Sequence, residues 1–302
     1  MVDICLLGSG GMYPLLNRHL TSMILKYNGK NILIDCGEGT QMCLRESKFK
    51  FKNIDIICFT HFHADHIAGL PGLLLTINNS QKTTPLVIIG PKGIKDIVKG
   101  LSVIVHGLLY DIQFIEIESS KESFLFDDIQ INTIEVEHTI NCYGYSINIK
   151  RNPKFDIDKA IKNNIPQKFW SKLQKSEEVK YQEFLYTPSM VLCKERKGLK
   201  ISYFTDCRPN QDLIDFVSNS DLLIAEGMYG DDEKLEQAKK HMHMIFSESA
   251  TIAKKSNSKE LWLTHFSPAM KNPNDYIEFA TNIFKNSKIG YDLLFKNLNF
   301  EE

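Results

Sequence analysis

The chain has 302 residues, 43% of them hydrophobic and 24% charged, with a formal net charge of −1. These values describe a globular protein and exclude a disordered, fibrous or uniformly basic nucleic-acid-binding chain. No apolar run approaches the roughly 20 residues that span a bilayer, and the opening MVDICLLGSGGMYP lacks the basic start of a secretory signal, so no membrane contact is expected.

Short apolar runs alternate with turns and amphipathic segments. ICLLGSG reads as a strand ending in a glycine turn, and SMILKY and NILIDCG as a hairpin joined by Asn28-Gly29. QMCLRESKF has helical spacing, IDIICFT is a buried strand, and DHIAGLPGLLLTINN is a helix that starts inside a histidine cluster. PLVIIGP is a further strand, followed by the helix-like KGIKDIVKGLSVIV. FIEIES, FDDIQINTIEVEH and YGYSINI look like successive strands of a meander. LKISYFTD, DLLIAEG and ELWLTHF are later strands, with helices over DEKLEQAKKH and SESATIAKKS, and the chain from Lys285 onward is expected to pair back onto the body. The whole suggests an α/β (α+β) chain, a single domain over residues 1–302, with two mixed sheets face to face and helices outside.

Residues 150–186 break this rhythm with two prolines, scattered aromatics and most of the surplus lysine, and read as a short projecting insertion. Between Lys150 and Lys200 there are 13 Lys and Arg against 6 Asp and Glu, a net of +7 that leaves −8 for the rest. Such asymmetry marks a polyanion contact.

Thr60-His61-Phe62-His63-Ala64-Asp65-His66 gathers three of the nine histidines and a carboxylate directly after an apolar strand. A merely polar loop would carry Asn, Ser and Gly, and a structural zinc knot would prefer a closed cysteine set, whereas no CxxC pair occurs here. Histidine and carboxylate ligands that leave positions for water point to a hydrolytic metal site. Two ions roughly 3.5–4 Å apart need ligands from several segments. His138, Asp206 and His265 each close an apolar strand and are the candidates. The seven cysteines lack a framework spacing and fit reduced thiols in a cytoplasm. Cys36, Cys58 and Cys207 read as small core residues near the site, not as nucleophiles.

With these residues in view, the chain resembles the metallo-β-lactamase superfamily, and within it the ribonuclease Z family of tRNA 3′-processing endonucleases. LLGSGGMYPLLNRHLTSMIL, ILIDCGEGTQ, THFHADHIAGLPGLL, HTINCYGYSI, LTHFSP and the helix SATIAKKS carry the resemblance along almost the whole length. It implies a four-layer αββα sandwich binding two zinc ions per chain, with manganese or iron as alternatives. His61, His63 and His138 would hold one ion, Asp65, His66 and His265 the other, with Asp206 bridging. Asp35 would orient a ligand imidazole. Hydroxide from bound water would attack the phosphodiester, Asp65 would hold its proton, and His243, paired with Glu226, would protonate the leaving 3′ oxygen, with His241 as the rival donor. The diiron branch of the superfamily has glutamate where His63 stands, so hydrolysis is favoured over redox chemistry. The resemblance also implies precursor tRNA as substrate, an arm at 150–186 that grips it, and a homodimer. A binuclear zinc phosphodiesterase for a small or cyclic nucleotide is the alternative, and a catalytically idle RNA-binding relative the third.

Overall fold

The computed structural model describes residues 1–301. The strands, in chain order, are β1 (Val2–Gly8), β2 (Ser22–Tyr27), β3 (Lys30–Ile34), β4 (Ile54–Cys58), β5 (Leu86–Pro91), β6 (Ile112–Ile117), β7 (Lys121–Phe126), β8 (Ile129–Val136), β9 (Cys142–Arg151), β10 (Val179–Tyr181), β11 (Phe184–Tyr186), β12 (Arg196–Phe204), β13 (Leu222–Glu226), β14 (Leu261–Thr264), β15 (Ser287–Ile289) and β16 (Leu294–Leu298). They form two seven-stranded sheets, ordered β16-β1-β2-β3-β4-β5-β6 and β15-β14-β13-β12-β9-β8-β7, and the separate pair β10-β11.

Both large sheets are mixed. In the first, β16, β1, β2 and β3 pair antiparallel, while β3 through β6 run parallel. In the second, β12 to β15 are parallel and β7–β8 is antiparallel. The buried faces explain the near-continuous apolar runs: IDIIC, LVIIGP, LLIAE and LWLT sit in parallel strands packed on both sides. One core gathers around Leu33, Ile57, Leu73 and Ile88, and another around Phe204, Leu223, Phe246 and Leu263. The hairpin at Asn28-Gly29 has both residues at positive φ, 51° and 84°, as a two-residue turn between right-twisted strands requires. The last residues pair back twice, β15 onto β14 and β16 onto β1.

Three elements differ from the sequence expectation. The helix over DHIAGLPGLLLTINN is two, Ala64–Ile67 and Leu70–Asn79, because Pro71 has no N–H and opens the second helix in its first turn. FDDIQINTIEVEH is not one strand. Phe126 pairs with Ile129 across a turn at Asp127, whose φ is 53°, so the segment joins the end of β7 to β8. The helix after β5 covers only Ile94–Leu101, and Val103 and Ile104 beyond it are exposed.

The chain divides into two compact units, one of residues 1–148 and 200–299, the other Ile149–Leu199 with Phe300 and Glu301. The small unit therefore extends 13 residues past the 186 boundary read from the sequence, because Val191 and Leu192 belong to its core with Ala160, Ile165, Phe169 and Leu173. Asp156 caps its helix Ile157–Lys162 by accepting from the Lys159 N–H at 3.0 Å, and the Trp170 Nε1–H donates to the Ile165 carbonyl at 3.0 Å. No helix among the described residues is long and apolar enough to cross a membrane.

Candidate metal and catalytic centre

The candidate residues leave the sheets at strand exits. His61 follows β4, His138 follows β8, Asp206 follows β12, His265 follows β14, and Glu226 is the last residue of β13. In open α/β sheets, the carboxyl ends of parallel strands are where ligands bind. Asp35, Asp206 and His265 have left-handed backbones, with φ of 57°, 54° and 56°. A left-handed turn costs a non-glycine residue about 1 kcal/mol or more, so its recurrence at three strand exits marks a functional constraint on the chain.

The side chains converge on two clusters that share one carboxylate. His61 Nε2 lies 3.0 Å from His63 Nδ1, which is 3.3 Å from His138 Nε2, and Asp206 Oδ2 stands 3.8 Å from both Nε2 atoms. His66 Nε2 lies 3.3 Å from His265 Nε2, which is 3.4 Å from Asp65 Oδ2 and 3.1 Å from Asp206 Oδ1. Each set could hold a metal ion, the first His61, His63, His138 and Asp206, the second Asp65, His66 and His265, with the ligand atoms of each within 4.8 Å of one another.

Proton positions fix which nitrogens face inward. His66 Nδ1–H donates to Asp35 Oδ2 at 2.9 Å, and Asp35 also accepts from the Thr60 N–H at 2.8 Å and the Thr60 hydroxyl. With the Thr60 hydroxyl hydrogen spent on Asp35, its oxygen accepts from His61 Nδ1–H at 3.0 Å. His138 Nδ1 faces the Met242 carbonyl at 3.4 Å. The Nε2 atoms of His61 and His138 then carry lone pairs that both face His63 Nδ1, which has at most one proton to give, while His66 Nε2 faces His265 Nε2. Converging lone pairs repel unless a cation lies among them, and Asp206 Oδ1 is buried with no hydrogen-bond partner. The donor set therefore fits metal ions of the kind bound by imidazole and carboxylate.

The titration behaviour of the first cluster agrees. Burial drives the His61 pKa well below its ordinary value, and it lowers His63 and brings His138 down to about 4, so all three are neutral and able to ligate at neutral pH. Burial also opposes charge on His66, but Asp206 and Asp35 outweigh it and raise that imidazole well above its ordinary range. Asp206 and Asp65 stay ionised against their own burial, Asp206 chiefly through His265 and His66, Asp65 chiefly through its hydrogen bond to His265.

Beside the clusters, His243 Nδ1 pairs with Glu226 Oε2 at 2.9 Å and lies 4.0 Å from Asp206 Oδ2. Burial would discharge this imidazole, yet Glu226 raises its pKa to about 9. Glu226 is itself fixed by the Cys207 N–H at 2.7 Å. His241, the rival donor, is exposed at the end of the helix Leu235–His241 and belongs to none of these pairs. Cys36, Cys58 and Cys207 are fully buried thiols with raised pKa values, as expected of core residues.

Several contributors had no assigned role in the sequence. Thr60 lies inside the motif but bridges Asp35 and His61 only once the fold is formed. The Met12 N–H donates to Asp65 Oδ2 at 2.7 Å. Gly11 lies so close to His265 that a Cβ would sit 2.7 Å from the ring, so only glycine allows this approach. The loop between Ser9 and His19 is held by Asp292, which accepts from the Ser9 N–H and hydroxyl at 3.0 and 2.8 Å and from the His19 N–H at 2.6 Å. Arg208 donates to the His243 carbonyl and pairs with Glu248. Backbone donors and distant clamps leave no residue-type signature, which is why sequence patterns pass over them.

Asp35→Asn provides a direct check on the outer layer. The amide offers the His66 Nδ1–H a weaker acceptor, so metal affinity should fall about 10- to 100-fold in a chelator competition while the fold persists.

Comparison with known proteins gives the family. A family model described as anti-Pycsar protein Apyc1 matches residues 2–176, a span that contains His61 to His138 but ends before Asp206, Glu226, His243 and His265. Ribonuclease Z of Clostridium kluyveri is 55% identical over 303 residues, covering all of both chains. Ribonuclease Z of Clostridium acetobutylicum is 51% identical over 307 residues, covering all of this chain and 99% of that one. Among solved structures, human tRNase Z, short form, has 25% identity and a TM-score of 0.71 over 99% of this chain and 100% of its own. The metallo-β-lactamase fold protein YhfI from Bacillus subtilis has 17% identity and a TM-score of 0.72, covering 98% and 100%, which shows the shared fold. The two mixed sheets with their helices are that αββα fold, and the chain belongs to the ribonuclease Z family.

Proposed function

We propose that this protein is a metal-dependent endoribonuclease that removes 3′ trailers from precursor tRNA and leaves a 3′ hydroxyl on the tRNA. The observation that carries the mechanism is the pair of ligand clusters that both approach Asp206, within 3.8 Å of His61 and His138 and 3.4 Å of His66 and His265, beside the Glu226-backed His243. In this reading His61, His63 and His138 would hold one zinc ion and Asp65, His66 and His265 the second, with the Asp206 carboxylate available to each set. When bound, two such ions supply hydroxide near neutral pH and offset charge on the phosphoryl oxygens. Asp65, acidic and bonded to the Met12 N–H, holds the proton of the attacking hydroxide. Glu226 keeps His243 protonated, and that imidazole delivers its proton to the leaving ribose oxygen, so the product departs as an alcohol. The Thr60–Asp35 pair keeps His61 and His66 turned inward.

The lysine-rich segment at 150–186 is assigned to precursor tRNA. Lysines on phosphates give affinity without sequence reading, which suits an enzyme acting on many tRNAs. A homodimer follows from the family resemblance, and a cytoplasmic setting from seven unpaired cysteines, six of them buried.

Incubation with precursor tRNA carrying a 3′ trailer, followed by mapping of the cut, tests the function. Cleavage after the last nucleotide of the tRNA body supports it. Hydrolysis of cyclic nucleotides with no cut in the precursor would favour the small-substrate phosphodiesterase instead. The arm has its own test. Cys193 N–H donates to the Lys154 carbonyl at 2.8 Å, so replacing residues 155–192 with Asn-Gly closes the chain where it already meets. That variant should lose precursor cleavage by about 100-fold or more, consistent with the loss of several phosphate contacts, yet hydrolyse a nitrophenyl phosphodiester. Equal loss of both activities, or of neither, would sink the assignment.

A further inference from the structure

A cavity of about 430 Å³ lies beside His243 and is used by none of the steps above. Its volume falls within the roughly 300–1,000 Å³ of small-ligand sites. All of its lining residues belong to the large unit, and they come from the segments after β13 and β14, the helix Leu235–His241 and the Met12–Tyr13 corner. Its surface is aromatic and thioether in character, with Tyr13, Tyr229, Tyr276, Met228 and Met270, and Gln237 among its polar groups. Two of the tyrosines are held. The Tyr229 backbone carbonyl accepts from the Phe246 N–H at 3.0 Å while its side chain hydrogen-bonds Gln237, and the Tyr276 ring packs on Gly230, where a Cβ would lie only 2.3 Å from the ring. Fixed aromatic rings and sulfur are the surfaces on which a nucleobase stacks.

The position of the cavity decides which base. A proton donor must lie within hydrogen-bond reach of the atom that it protonates. Nδ1 of His243 is taken by Glu226, so Nε2 serves the substrate. In the proposed reaction hydroxide forms the new P–O bond, the bond from phosphorus to O3′ breaks, and the Nε2 proton goes to O3′. That oxygen belongs to the last nucleotide of the tRNA body, and its base is one sugar away. Met12 borders the same cavity while its N–H holds Asp65, so the cavity opens beside the two residues, Asp65 and His243, between which the proposed reaction takes place. We propose that this cavity receives the base of the last tRNA nucleotide, on the leaving-group side, and not the first base of the trailer. The inference rests on the ribonuclease reading and on His243 as proton donor. Stacking suits a position that any base can fill, because every base offers a π face.

The experiment uses precursor tRNA with a single abasic nucleotide, placed either at the last tRNA position or at the first trailer position. Wild-type enzyme should lose about 10- to 100-fold in kcat/KM on the first substrate and under about 3-fold on the second. Tyr276→Ala, with Tyr229→Ala as a second variant, should show a similar loss on unmodified precursor and no further loss when the last tRNA base is missing. The wild-type comparison stands even if a variant folds poorly. A penalty at the trailer position that vanishes in Tyr276→Ala would overturn the assignment, as would additive losses at both positions. Precursor left wholly uncut by wild-type enzyme is a separate result, because it removes the ribonuclease reading itself and this proposal with it.

Discussion

His243→Ala is expected to cut precursor tRNA about 10²- to 10⁴-fold more slowly while retaining its metal, as removal of a general acid predicts. The imidazole bonds to Glu226 at 2.9 Å and lies 4.0 Å from Asp206. Although its ring also stands 5.6 Å from those of His138 and His265, the Nδ1 that faces Asp206 is taken by Glu226, so its loss should open no coordination position. Metal content measured alongside single-turnover rate separates the roles. If metal leaves with the side chain, His243 is a ligand and the assignment fails. Glu226→Gln refines the point through pH. The carboxylate raises the His243 pKa to about 9, so the protonated donor persists into mildly alkaline solution. An amide removes that charge, and the pKa falls towards the ordinary value near 6.5. Activity that needs the protonated form is then lost as pH rises through a lower value. The alkaline limb of kcat should move to lower pH by more than about one unit, and an unmoved limb would rule out the pairing.

Asp206→Ala should have the largest effect. The carboxylate stands 3.8 Å from His61 and His138 through one oxygen and 3.4 and 3.1 Å from His66 and His265 through the other. It reaches the inward-facing Nε2 atoms of both clusters, whereas Thr60 meets His61 and His66 only at their outer Nδ1 atoms. Its removal deprives both clusters of an anion, and turnover should fall by at least about 10³-fold, the equivalent of several kcal/mol of transition-state stabilisation. Metal per chain should fall as well. Wild-type protein stripped by chelator should reach the same floor and recover when metal is restored, whereas the variant should not. A variant that keeps full metal content would show that the clusters fill independently.

Much of the ligand set was legible because each member combines a chemically marked residue with a strand end. His138, Asp206 and His265 close the apolar runs INTIEVEH, ISYFTD and LWLTH, and the fold brings those ends together. Long parallel strands such as β5 and β13 were equally plain, since burial on both faces leaves an unbroken apolar run. The turn at Asp127-Asp128 was missed because apolar alternation continues through it, and only the left-handed Asp127 separates β7 from β8. The division at Pro71 was missed because the apolar spacing on either side is compatible with one helix. Asp292 and the Met12 N–H escaped for a different reason. Their partners are far off in sequence, and nothing about an aspartate near a chain end or a peptide group in a loop announces such a partner.

The grip of Asp292 on Ser9 also bears on how the molecule comes into being. It spans 283 positions, and beside it β16 lies against β1. The corner that carries Met12 to Asp65 is thus anchored from a segment far along the polypeptide. Long-range closure of this kind is entropically slow. A chain cut before Asp292 loses the carboxylate that pins the Met12 corner, and should be a poor nuclease even with every histidine of the cluster in place.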